Sequence, residues 1–185
     1  ERKFLTLKSQ HIRRIIEAGP RPHSLHVDWL EALGAQNISI ARMWQSYLAL
    51  ELDDEGRVIE EERVRKKIIL GPDGQPIKEI YTHTYKSGSG ISRPEEQEKI
   101  TEKDYSKLLS IGKVGIEVSK FRTTFEMSHR TIQLDRYLNG LSGLSVSEIE
   151  FKDLGQSDQF NPALSPFTTV LGKEVTGQNE YSNAI

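Results

Sequence analysis

The chain contains no cysteine. That absence removes disulfide staples, thiolate zinc sites and cysteine nucleophiles together, and it fits a reducing compartment. Also missing is any apolar run near the roughly 18 residues that a membrane-crossing helix needs, and the opening residues lack the apolar stretch of a secretion signal. A basic surplus is absent too. The formal net charge is −2 and the pI about 6.3, so general attraction to nucleic acid is excluded and any phosphate recognition must be local. No internal repeat or low-complexity segment interrupts the chain. The expectation is a soluble, cytoplasmic protein that binds neither membrane nor nucleic acid. Its 185 residues suit one domain, residues 1–185, with a sizeable core.

What the chain does have is charge repeated with a period of two. Glu148-Ile149-Glu150 places two carboxylates on one face of a strand, and Arg63-Val64-Arg65, Glu96-Gln97-Glu98, Lys120-Phe121-Arg122 and the opening Glu1-Arg2-Lys3 follow the same spacing. In most of these the central residue is apolar, which puts the core on the opposite face. For any one pair, solvated surface or ion pairing between neighbouring strands is a sufficient account. Repetition favours a site for a polyanion and a metal. Lys3, Arg63, Arg65, Lys86, Lys120 and Arg122 supply the cations, and arginine's planar fork suits phosphate oxygens. Glu1, Glu96, Glu98, Asp135, Glu148 and Glu150 supply carboxylates suited to hard divalent cations. Asp135 joins them because Asn139-Gly140 pairs its strand with the one carrying Glu148. For Glu96 and Glu98, next to Glu95, neutralisation by neighbouring strands is nearly as good an explanation.

Hydrophobic spacing orders the elements. Residues 1–7 alternate as a first strand. A Ser9 cap, Ile12, Ile15 and Ile16 at helical spacing and the Gly19-Pro20 stop predict a helix over residues 10–18. Leu25, Trp29, Leu30 and Leu33 behind a Ser24 cap predict a second that ends at Gly34. His23, His26 and Asp28 have spacings a metal accepts, but no third strong ligand is placed with them, and a surface or capping role accounts for them better. From Ile40 the period is two. Strands are expected over 40–52 and 57–70 about the Asp53-Asp54-Glu55-Gly56 turn, over 77–86 after Gly71-Pro72-Asp73-Gly74, and over 91–100. The intervening Lys86-Ser87-Gly88-Ser89-Gly90 lacks phosphate-loop spacing and no helix follows it, so it reads as a hairpin turn. Thr101 caps a helix over Glu102–Ile111 with Tyr105, Leu108 and Leu109 as its apolar face. Strands over 115–126, 130–138 and 144–152 follow, the last two joined by the Asn139-Gly140 hairpin signal, then a looser proline-bearing tail with a short strand near 170–176. Many antiparallel strands with a few helices define an α+β, mainly β class and point to a closed barrel.

Taken in order, Glu1-Arg2-Lys3-Phe4-Leu5, Gln45-Ser46-Tyr47-Leu48, Arg63-Val64-Arg65, Thr84-Tyr85-Lys86, Lys120-Phe121-Arg122, Leu134-Asp135, Gly143-Leu144, Glu148-Ile149-Glu150-Phe151, Gly172-Lys173-Glu174-Val175-Thr176 and Tyr181-Ser182-Asn183 form a series. This series resembles the motifs of the CYTH, or triphosphate tunnel metalloenzyme, superfamily, which includes bacterial tripolyphosphatases, class IV adenylyl cyclases and thiamine triphosphatases. Each motif is weak alone; together and in order they are specific. The opening matches the second half of the family's Glu-x-Glu-x-Lys signature, whose first glutamate would lie two residues before Glu1. The family's Arg-x-Glu-x-Glu meets Arg93-Pro94-Glu95-Glu96-Gln97-Glu98 in two phases, of which Glu96 with Glu98 is favoured and Glu95 held in reserve. Residues 10–39 are longer than in short members, as a cover for a tunnel mouth or a homodimer contact.

The resemblance implies a closed eight-stranded antiparallel barrel around a charged tunnel. It also implies hydrolysis, dependent on Mg2+ or Mn2+, of a terminal phosphoanhydride in tripolyphosphate or a nucleoside triphosphate. Glu1, Asp135, Glu148 and Glu150 would hold the metal; Lys3, Glu148 and Glu150 would serve catalysis; Lys3, Arg63, Arg65, Lys86, Lys120 and Arg122 would bind the phosphates. The alternatives are an adenylyl cyclase making cyclic AMP from ATP, and a non-catalytic polyphosphate-binding module.

Overall fold

The computed structural model describes residues 1–6, 23–56, 58–88, 94–111, 116–178 and 181, with side chains from residue 27 onward in the second stretch. The helix expected over residues 10–18 lies outside the described residues. Among those described, nine strands form: β1 (Arg2–Thr6), β2 (Gln36–Leu52), β3 (Val58–Leu70), β4 (Pro76–Ser87), β5 (Glu95–Ile100), β6 (Glu117–Met127), β7 (Arg130–Tyr137), β8 (Ser145–Ile149) and β9 (Leu171–Glu174). Three α-helices accompany them: α1 (His23–Ala32), α2 (Glu102–Ile111) and α3 (Leu154–Gln159). No described helix is long and apolar enough to cross a membrane.

The strands hydrogen-bond into one antiparallel sheet in the order β5-β4-β3-β2-β6-β7-β8-β1-β9. The ninth, β9, is the short strand expected near residues 170–176, and it pairs with β1 on the side away from β8. Its position is secured by Val175 N–H donating to the Lys3 carbonyl at 2.9 Å and Lys3 N–H donating to Thr176 Oγ1 at 3.0 Å.

Local chemistry sets most element ends. Gly56 and Gly74 close their turns with φ of 75° and 79°, a region in which a side chain is strained. Thr101 caps α2, its Oγ1 accepting from Asp104 N–H at 3.1 Å and donating to the Asp104 carboxylate at 2.6 Å. At Asn139-Gly140 the two-residue hairpin expected from the sequence does not form. Asn139–Leu141 instead winds one 3₁₀ turn, and Gly143, at φ 96°, redirects the chain into β8. That strand ends at Ile149, so Glu150 falls just past it. α3 was not anticipated, although its signal is plain: Asp153 caps it by accepting from Gln156 N–H at 2.8 Å.

Two compact units divide the chain. The first comprises Glu1–Ala41, Ile69–Ile77 and Lys120–Thr176; the second comprises Arg42–Ile68, Lys78–Ser119 and Gly177–Ile185. In the first, one sheet face is apolar. Phe4, Phe125, Met127, Ile132, Leu134 and Ile149 are buried there under Leu30 of α1 and under Phe160, Phe167 and Val170 of the C-terminal segment. In the second, Leu48, Val64 and Tyr81 meet Tyr105 and Leu108 of α2. Leu109, expected on that apolar face, is exposed instead.

Ile149 is fully buried between Ile132 and the C-terminal aromatics, whereas Leu164 is 59% exposed. Ile149→Ala should therefore lower unfolding free energy by about 2–5 kcal/mol. Leu164→Ala should change it by under about 0.5 kcal/mol. Chemical denaturation midpoints check the contrast.

Candidate functional site

The sequence-selected site residues fall into two groups, one in each unit. In the first unit, β1, β8, β7 and β6 align charge on the face opposite the apolar core. Register sets Lys3 and Gln133 opposite Glu148, and Arg122 opposite Asp135. Asp135 is fully buried. Its Oδ1 accepts from Arg122 Nε at 2.6 Å, and its Oδ2 accepts from Arg122 Nη2 at 2.5 Å and also from Lys120 Nζ. Arg122 Nη2 donates further to Glu148 Oε2 at 2.8 Å, while Lys3 Nζ lies 3.2 Å from Glu148 Oε1. Arg122 Nη1 donates to Gln133, whose amide nitrogen donates to Glu150. Glu1 is half exposed, 3.8 Å from Lys3 Nζ.

Such density of charge shifts proton affinities. Burial pushes the Glu148 carboxyl up, but the charges of Arg122, Lys120 and Lys3 outweigh it and hold the group well below the usual carboxylate range. Burial pushes the Lys120 ammonium down to about 8, with Asp135 opposing and Arg122 adding to the fall. For Arg122 burial lowers the pKa, and Asp135 and Glu148 raise it by more.

The second unit carries Arg63, Arg65 and Lys86. Arg63 Nη1 donates to Glu61 at 2.7 Å, and its Nη2 is 3.8 Å from Glu95. Glu95 also pairs with Lys86 at 2.7 Å. Burial raises the Glu95 carboxyl, and Lys86, Arg63 and Arg65 together pull it below its ordinary value. Arg65 donates to Gln45 Oε1 through Nε at 3.2 Å and Nη2 at 2.9 Å. Gln45 in turn donates to the Tyr47 hydroxyl.

Register corrects one expectation directly. Glu95 lies opposite Lys86 and Gln97 opposite Thr84, while Glu96 lies opposite Tyr85 and Glu98 opposite His83. Glu95 and Gln97 therefore share the face of Lys86, and Glu96 and Glu98 are on the other face, where Glu98 sits 3.4 Å from His83. Pro94 immediately precedes the strand, so pairing begins at Glu95 and sets this phase. Glu61, Gln45, Tyr47 and Gln133 escaped the sequence reading as site residues. Glu61 and Gln133 were findable, since each stands two residues before a selected charge, Arg63 or Asp135.

The carboxylates offer the hard oxygen chemistry of a Mg2+ or Mn2+ site. They are not gathered as one: among the described residues no three His, Asp or Glu side chains converge as a metal site. Asp135 and Glu148 each have both oxygens bonded to cations. Asp135→Asn would leave two buried cations under-compensated. It should lower stability by about 3–5 kcal/mol in chemical denaturation. A near wild-type midpoint joined to weakened metal binding would instead assign Asp135 to a metal.

No protein-family model and no curated protein matches the chain. Among solved structures it is similar to the crystal structure of the inorganic triphosphatase NE1496, at 23% identity over 99% of this chain and 92% of that one, with a TM-score of 0.53. A second structure of NE1496, described as a hypothetical protein, gives the same identity and TM-score. The PH1012 protein from Pyrococcus horikoshii OT3 is similar at 19% identity over 85% of this chain and 81% of that one, with a TM-score of 0.52. The chain thus has the fold of the NE1496 structures over nearly its whole length.

Proposed function

We propose that this chain is a triphosphatase of the triphosphate tunnel superfamily, hydrolysing the terminal phosphoanhydride of inorganic tripolyphosphate or of a nucleoside triphosphate. The observation that carries the proposal is Arg63. Its guanidinium is buried, the residue being 7% exposed, and its Nε has no hydrogen-bond partner among the described residues. Leaving a buried donor unpaired costs about 1–3 kcal/mol, and more for a charged one. A phosphate oxygen is an acceptor of the kind that would satisfy it. Arg65 and Lys86 in the same unit extend the cationic surface, and the fold shared with an inorganic triphosphatase supports the same reading.

Phosphoryl transfer asks little covalent chemistry of a protein. The transferred group passes through a loose, metaphosphate-like state, and positioning with charge stabilisation does most of the catalysis. In this reading Arg63, Arg65 and Lys86 bind phosphate oxygens. Lys3, Lys120 and Arg122 also bind phosphate in this reading, and Lys3 serves catalysis as well. Glu1, Asp135, Glu148 and Glu150 are the carboxylates suited to Mg2+ or Mn2+, which when bound would neutralise phosphate charge and acidify a water. The steps assigned to the chain's own residues are anion binding and orientation. The closed eight-stranded barrel with its charged tunnel, a single domain over residues 1–185, a triphosphate-bearing small molecule as partner and a cytoplasmic setting all belong to this proposal.

The test is an assay of the chain with tripolyphosphate, ATP and thiamine triphosphate. Phosphate release that disappears with EDTA and returns with Mg2+ or Mn2+ is the expected result; a cyclic nucleotide product would identify a cyclase, and binding alone a polyphosphate module. The double variant Arg63→Ala with Arg65→Ala should raise KM at least tenfold, about 1.4 kcal/mol of binding, while circular dichroism shows a folded protein. Wild-type kinetics in that variant would defeat the proposal.

A further inference from the structure

Arg122 is oriented through three donor atoms, one of them bonded to Gln133, and Arg65 through two that converge on a single acceptor. Arg122 is gripped by the carboxylates of Asp135 and Glu148. Arg65 directs Nε and Nη2 to one neutral atom, Gln45 Oε1. Gln45 is 1% exposed, and its other amide atom is committed as well, since Nε2 donates to the Tyr47 hydroxyl. Chemistry alone fixes this amide orientation. A guanidinium has only donors, so the oxygen must face Arg65 and the nitrogen must face the phenol. Tyr47 is itself buried, and burial pushes its phenol up, with the Arg63 charge opposing, so the hydroxyl is neutral near pH 7. The acceptor that fixes Arg65 therefore contributes direction without counter-charge, and it stands on a second neutral residue, two positions along β2.

A glutamate at position 45 would orient the guanidinium at least as firmly, because charge-assisted bonds are shorter and stronger. It would also lower the local positive potential. That difference separates an arginine held for structure from one held for an anion. We propose that Gln45, braced by Tyr47, is a positioning residue that aims Arg65 at a phosphate group while preserving the positive potential of the site. This inference rests on the triphosphatase reading above and adds to it the residues that set how tightly one phosphate is held.

The experiment measures tripolyphosphate affinity by calorimetry, KM and kcat for hydrolysis, and the melting temperature without ligand, for the wild type, Gln45→Glu, Gln45→Met and Tyr47→Phe. Expected is a Gln45→Glu protein that melts at or above the wild-type temperature, yet binds tripolyphosphate at least tenfold more weakly, with KM rising more than kcat falls. Gln45→Met, which loses direction but adds no charge, should weaken binding by a smaller factor, and Tyr47→Phe by a few-fold. Unchanged affinity in Gln45→Glu, beside a wild type that binds and hydrolyses, overturns the role of Gln45 and leaves the triphosphatase reading standing. Equal losses of affinity in Gln45→Glu and Gln45→Met that only track lowered melting temperatures overturn it too, as a purely structural effect. A wild type that does not bind tripolyphosphate overturns both.

Discussion

The guanidinium of Arg122 sits between two carboxylates from two different strands, Asp135 on β7 and Glu148 on β8, and the first unit depends on that arrangement. Removing these charges from water carries a large desolvation penalty, which is offset only when every polar atom is bonded in good geometry. Here both oxygens of each carboxylate are occupied, with Lys120 completing Asp135 and Lys3 completing Glu148. The network also fixes register. A one-residue slip of β7 against its neighbours would carry Asp135 to the apolar face and strand two cations.

That face can be charged because the opposite one is apolar. Ile149 is fully buried although Glu148 and Glu150 flank it, and Val64 is fully buried although Arg63 and Arg65 do. Arg2 breaks the rule, since it lies on the face of Phe4. It is tolerated by bonding to Glu174 at 2.8 and 2.6 Å, by donating to the carbonyls of Ser157 and Phe160, and by stacking over the Phe4 and Phe160 rings. The same contacts fasten the C-terminal segment onto β1.

Both units set carboxylates beside their cations, and each adds a neutral acceptor, Gln133 in the first and Gln45 in the second. In the first unit Lys120 and Arg122 face carboxylates deep in the sheet. In the second, Arg65 is oriented by a glutamine and Arg63 retains a buried unpaired nitrogen beside Glu61.

Much of this was legible before any coordinates. The i and i+2 charges with an apolar centre follow from the pleat, a local property that any strand of this pattern must express. For the same reason Thr101 read as a cap and β2, β3 and α2 were placed close to where they form. The phase of β5 was not legible, because Glu95 and Glu96 are equivalent until pairing with Lys86 selects one face. Nor was the choice of counter-ion. Lys3 meets Glu148 and Arg2 meets Glu174 across more than 140 residues of chain, and nothing local distinguishes those partners from the other acidic residues. The sequence determined which residues would be charged and which face of each strand would carry them. Strand pairing, between neighbours as for Arg122 with Asp135 and Arg65 with Gln45 and between distant strands as for Lys3 with Glu148, decided whether a given charge meets a carboxylate or a neutral amide.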